Sequence, residues 1–78
     1  MRLGSIPKIR PVKSIELLKI LQSHYGYSAR RGRGDHVVLF DSKGHHTVIQ
    51  AGKELRSNIV SAILRETELR WEDVERYL

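Results

Sequence analysis

From Val12 to about His24 the apolar residues Val12, Ile15, Leu17, Leu18 and Leu21 fall on one broad arc at roughly 100° per residue. Ile20 lies off that arc, and Lys13, Glu16, Lys19 and Gln22 face away. The spacing predicts an amphipathic helix. Its start is weakly marked, with Ser14 or Lys13 near the cap position, while Gly26 supplies a residue that tolerates the left-handed conformation of a helix end. The period then changes. Tyr27 to Arg31 fits a short strand punctuated by Gly32 and Gly34, and His36 to Phe40 is a β-branched and aromatic run. Asp41-Ser42-Lys43-Gly44 is turn chemistry leading into a further run, His46 to Gln50, so two antiparallel strands joined by a short turn are expected. Ile59, Val60, Ile63 and Leu64 return to helical spacing, with Ser57 as N-cap and an end near Thr67. A last short helix fits Trp71 to Leu78, where Trp71, Val74, Tyr77 and Leu78 share a face and Glu72 and Asp73 suit the dipole of the first turn.

The order is therefore helix, three strands, helix, short helix, preceded by an extended arm at residues 1–11 that carries two prolines and no period. Neither the sheet nor the helices can bury their apolar sides alone, so the helices must cover one sheet face. The expected architecture is α+β, of the kind seen in double-stranded-RNA-binding domains, in one domain at residues 12–78. A chain of 78 residues holds one small core and no second domain. No apolar run approaches the roughly 18 to 20 residues that span a bilayer, and the basic start lacks the apolar stretch of a signal peptide, so a cytoplasmic protein is expected. The chain contains no cysteine, which removes disulfides, thiolate nucleophiles and Cys-rich zinc sites together.

Charge narrows the class of partner. The net charge is +5 and the calculated pI about 10.0, a balance that favours polyanions, nucleic acid foremost. Residues 1–33 contain eight Lys or Arg against the single acid Glu16, whereas residues 34–78 are close to balanced. The excess sharpens into Arg30, Arg31 and Arg33, just before His36.

Alternation along a strand puts His36, Val38 and Phe40 on one sheet face and Val37 and Leu39 on the other. A turn centred on Lys43 sets Phe40 opposite about His46 and His36 opposite about Gln50. His45 and His46 then lie some four residues from His36 along the strand, about 13 Å at the usual rise, and can share neither a proton nor a metal with it. No helical pair of ligands at i, i+4 spacing is present, so no metal or other cofactor is expected. His24 reads as a solvated residue favourable to the helix dipole, and His45 and His46 as turn residues. His36 differs in context: a titratable imidazole follows a cationic loop whose glycines let a backbone phosphate come close. Imidazole can take a proton from a ribose 2′-hydroxyl while arginines offset the charge growing on phosphorus oxygens. Among the aromatic residues, Tyr27 and Trp71 are expected in the core, and Phe40, on the face of His36, is the candidate for stacking on an unpaired base.

Gly26-Tyr27, the stretch Arg30-Arg31-Gly32-Arg33-Gly34-Asp35-His36-Val37, then Thr47-Val48, Lys53-Glu54-Leu55 and Ile63-Leu64 resemble the HicA family of toxin mRNA interferases. In that family an aromatic residue follows the glycine ending the first helix, and a Gly-Ser-His or Gly-Asp-His tripeptide opens the second strand. The resemblance runs from about Val12 to Val74. It implies a fold like that of double-stranded-RNA-binding domains, ribosome-independent cleavage of mRNA, and neutralisation by a HicB-type antitoxin. The family's catalytic histidine carries over onto His36. Where many members have Pro-x-His after the third strand this chain has Ile49-Gln50-Ala51, and where they have glycine before the second helix it has Asn58. Three readings follow from the residues: a metal-independent endoribonuclease with His36 as general base or acid and Arg30, Arg31, Arg33 and Lys43 holding the RNA; a non-catalytic RNA-binding module; or a domain whose sheet face docks another protein. The first needs His36 accessible, the second only the arginines, and the third an open apolar face such as Val38, Phe40 and Val48.

Overall fold

A computed structural model describes residues 8–78, so the expected arm lies mostly outside the described residues; residues 8–11 form neither helix nor strand. The elements are β1 (Val12–Lys13), α1 (Ser14–His24), β2 (Ser28–Arg31), β3 (His36–Phe40), β4 (His46–Gln50), β5 (Glu54–Leu55), α2 (Ser57–Thr67) and α3 (Trp71–Glu75). Strands β2, β3 and β4 form an antiparallel meander with β3 in the centre. The register is the one the turn at Lys43 implies: Phe40 pairs with His46, Val38 with Val48 and His36 with Gln50, while Arg30 pairs with Val38 on the other side. Helices α1 and α2 pack on the same side of the sheet, so the chain is α+β in the expected order.

The two-residue strands β1 and β5 pair with each other, Val12 with Leu55 and Lys13 with Glu54. No period can reveal strands so short, and they change the reading of α1. Val12 belongs to β1, so the buried stripe of α1 is set by Leu17, Leu18, Ile20 and Leu21 and turns away from Ile15. Ile20 is therefore in the core and Ile15 is 55 % exposed, the reverse of the expected arc. Ser14 fastens the junction. Its N–H donates to the Lys53 carbonyl at 2.8 Å, and its buried hydroxyl accepts the Lys53 N–H at 3.1 Å.

The core joins Leu17 and Leu21 of α1, Leu39 of β3, Ile49 of β4, Val60 of α2 and Val74 of α3, all without measurable exposure. Ser57 is the first residue of α2 rather than its cap; Arg56 takes the cap position without a side-chain hydrogen bond. Helix α3 ends at Glu75, earlier than its apolar pattern suggests, because the Tyr77 ring leaves that face to stack on His24 at 3.6 Å between centroids. His24 is thus a packing partner of the C-terminal turn and not merely a solvated end residue.

Tyr27 and Trp71 are buried, as their size in so small a domain requires. Among the described residues the Tyr27 hydroxyl has no hydrogen-bond partner, and burial, reinforced by the charges of Asp41 and Glu68, pushes its pKa up to about 12. A buried hydroxyl without a partner carries its desolvation cost uncompensated. Tyr27→Phe is therefore expected to leave stability unchanged or raise it by about 1 kcal/mol. Urea unfolding at unchanged slope measures this, and a clear loss would mean that the hydroxyl has a partner in solution.

Candidate functional site

The sheet face turned away from the helices presents Ser28 and Arg30 from β2, His36, Val38 and Phe40 from β3, and His46, Val48 and Gln50 from β4. At its β2–β3 end the chain makes a tight loop from Gly32 to Asp35. The Gly32 N–H donates to the His36 carbonyl at 2.8 Å, and a Cβ on Gly32 would stand 3.1 Å from that oxygen and 3.3 Å from Val38 Cγ2. Both contacts would be tighter than ordinary packing, so a side chain here would require its neighbours to shift by a few tenths of an ångström. Gly34 turns the chain with φ of 59°, and the Ala51 N–H donates to the Asp35 carbonyl at 2.8 Å, tying the loop to the turn after β4.

The loop orients His36. Its Nδ1 lies 3.0 Å from the Arg33 carbonyl oxygen, which can only accept, so Nδ1 carries the proton. In the neutral ring the lone pair is then on Nε2. The ring is half exposed. Asp35 Oδ1 stands 3.7 Å from Nδ1, beyond hydrogen-bond reach, and acts on the ring through its charge. The Gln50 Nε2 donates to Asp35 Oδ2 at 3.0 Å. That bond, with smaller help from the backbone N–H of Asp35 itself and then from His36 and Lys53, holds the Asp35 carboxyl below the usual aspartate value against a burial penalty. Gln50 therefore keeps an ionised carboxylate beside the imidazole, a part that its position opposite His36 made readable but that needed the loop to be seen.

The candidate arginines surround His36 without forming one patch. Arg30 lies on its sheet face; Arg31, paired with Val37, points to the opposite face; Arg33 is in the loop. Arg30 and Arg31 nevertheless both border one recess of about 460 Å³, which Gly34, Asp35, His36 and Ala51 also line. Lys43 is not brought to this end. It sits in the β3–β4 turn, its N–H donating to Asp41 Oδ1 at 3.0 Å. Phe40 is at that same far end, 40 % exposed, and shares a second recess with Arg30, Val38 and His46.

His45 is engaged elsewhere. Its Nδ1 is 2.9 Å from Asp41 Oδ2 and its Nε2 3.4 Å from Glu68 Oε2, so it bridges the β3–β4 turn to the residue capping α2, which has φ of 56°. The Asp41 hydrogen bond and the two carboxylate charges raise the His45 pKa over a smaller burial effect. Asp41 is lowered, because its bonds from His45 and Lys43 together outweigh the burial that raises it. The His45 contribution is complete below the ordinary value of 6.5 and is lost as pH rises through the raised folded value. The Asp41 contribution is complete above 3.8 and is lost as pH falls through its lowered folded value. His45→Asn is accordingly expected to lower the melting temperature at about pH 5 and to change it much less at about pH 9. Equal losses at both pH values in thermal melts would show that the bridge does not depend on charge.

Among the described residues no three His, Asp or Glu side chains converge as metal ligands, and no helix is long and apolar enough to cross a membrane. No protein-family model matches the chain, and no curated protein shows significant similarity to it. Chemically, the β2–β3 end combines an oriented imidazole with a free Nε2, a fixed carboxylate beside it, and guanidinium groups on both faces.

Proposed function

We propose that this chain is a metal-independent endoribonuclease of the HicA toxin type, an mRNA interferase. The observation that carries the reading is the His36 ring, half exposed, with Nδ1 held by the Arg33 carbonyl, Arg30 on the same sheet face and Arg33 in the adjoining loop. Nε2 takes the proton from a ribose 2′-hydroxyl, which attacks the adjacent phosphorus, and the arginines balance charge on the phosphate oxygens. Among the described residues no second histidine lies at this end of the sheet, so the leaving oxygen takes its proton from water or from a cationic side chain. A slow enzyme is the consequence.

A toxin of this kind acts on cytoplasmic mRNA and has to be held inactive. The partner that fits is an acidic, HicB-type antitoxin whose carboxylates meet the arginines while apolar groups cover Val38 and Phe40, joining steering charge to a desolvated centre. A non-catalytic RNA-binding module is the second reading, favoured by the absence of a placed general acid. The test is cleavage of a labelled single-stranded RNA by the purified chain. Cutting is expected at ribonucleotides, none in the all-deoxy strand, and no loss with chelator. Cutting of DNA would exclude 2′-hydroxyl chemistry, inhibition by chelator would require a metal, and binding without cutting would leave the second reading.

A further inference from the structure

The far end of the open sheet face carries an exposed aromatic residue and a recess that the proton transfer at His36 does not use. Phe40 stands 40 % exposed beside Val38 and His46, and these three with Arg30 line a recess of about 360 Å³. A domain of this size that leaves its one phenylalanine half in water forgoes core burial there. The surrounding charge limits what can cover it. Arg30 is the single permanently charged side chain among the strand residues Ser28, Arg30, His36, Val38, Phe40, His46, Val48 and Gln50, and the Asp35 carboxylate adjoins the face at its Gln50 end, away from Phe40. Asp35, in the adjoining loop, is turned to Gln50. Arg30 pairs with Val38, midway between the His36–Gln50 and Phe40–His46 pairs. An aromatic ring, an imidazole and a cation set between the ring and the candidate catalytic histidine suit a strand whose bases stack while its phosphates pass the cation.

Resting on the ribonuclease reading for the identity of the polymer, we infer that Phe40 and His46 form a subsite for one unpaired nucleobase of single-stranded RNA, with Arg30 holding the phosphate between that base and the bond cut at His36. Phe40 is four residues along β3 from His36, about 13 Å at the strand rise. A stacked strand advances about 3.4 Å per nucleotide, so the base lies within about four nucleotides of the scissile bond, and fewer where the strand is stretched. The subsite selects against duplexes, because a paired base offers its edge and not its face to the ring. The β3–β4 end of the sheet thus confers a requirement for unpaired RNA.

The test measures binding, so it does not depend on catalysis. Uniformly 2′-O-methylated oligouridine lacks the attacking hydroxyl and reports affinity alone; the same backbone stripped of bases reports its phosphate share. Phe40→Leu is expected to weaken oligouridine binding by about 5- to 140-fold, the range of one lost base–aromatic stack. Binding of the abasic strand should stay unchanged, and Phe40→Tyr should restore oligouridine binding. Preference for oligouridine over its duplex with oligoadenosine should shrink in Phe40→Leu. Equal losses on both strands, or none on either, would overturn the subsite, as would unchanged RNA affinity in a variant that no longer captures a protein partner. Ring-dependent binding by a chain that never cuts RNA would sustain the subsite and sink the ribonuclease reading, whereas a wild-type chain that binds no RNA would end both.

Discussion

Replacing His36 with alanine is expected to slow RNA cleavage by about 10² to 10⁴-fold, the usual contribution of a positioned general base or acid. The fold should hardly notice. The ring is half in solvent and makes one hydrogen bond, to the Arg33 carbonyl, whereas the loop is fixed by backbone bonds from Gly32 to the His36 carbonyl and from Ala51 to the Asp35 carbonyl. Affinity for an uncleavable strand should likewise persist, because Arg30, Arg31 and Arg33 are untouched. His36→Gln keeps an amide able to reach the Arg33 carbonyl yet moves no proton, so it should lose as much rate as alanine. Cleavage kinetics beside a thermal melt separate the cases. Wild-type rates in either variant would remove His36 from the chemistry, and a collapsed melt would make the loss of activity uninformative about His36→Ala but not about His36→Gln.

The second large effect is on stability. Trp71→Ala is expected to cost about 3 to 5 kcal/mol, the range for deleting a buried aromatic side chain and leaving its cavity. At 78 residues the whole domain is stable by roughly 4 to 12 kcal/mol, so this one change can leave much of the population unfolded at ordinary temperature. The reason lies in α3, which spans five residues and depends on Trp71 and Val74 for its place in the core. The Arg10–Glu75 ion pair at 3.0 Å cannot compensate, since both side chains are about half in solvent. Trp71 is the sole tryptophan, so far-UV circular dichroism with urea, rather than fluorescence, reports the midpoint. A cost below about 1 kcal/mol would mean that α3 packs loosely and that the core closes without it.

The meander was legible because one feature fixed its register: Asp41 to Gly44 is turn chemistry, and centring the turn at Lys43 places Phe40 against His46 and every later pair with it. The partner of His36 across the sheet, Gln50, followed from the same count. Helix α1 is legible in its period but rotated, since that period counts Val12 in the apolar arc whereas the residue belongs to β1. Two-residue strands have no period, and their pairing with β5 is set by the Ser14–Lys53 bonds, which no local pattern announces. At the site, the orientation of the His36 ring depends on where a backbone carbonyl points, and that depends on glycine conformations and on a bond from Ala51. The arginines formed one run in the sequence, yet the alternation of a strand divides Arg30 from Arg31. Lys43 was grouped with them by charge alone, and the hairpin carries it to the opposite end.

Strand β2 is an outer strand of the sheet, exposed along all four residues, with one margin of its backbone hydrogen-bonding groups unpaired within the meander. An edge of that kind is a template on which a second copy could add a strand. Ser28-Ala29-Arg30-Arg31 resists this, because antiparallel association of two such edges sets guanidinium groups against guanidinium groups in a small space. The cations proposed to meet a phosphate would thus also keep the chains apart in concentrated solution. Their protection is conditional: a polyanion long enough to bridge two chains cancels the repulsion, so the protein is expected to precipitate with long RNA near charge balance at low salt and to redissolve as salt rises.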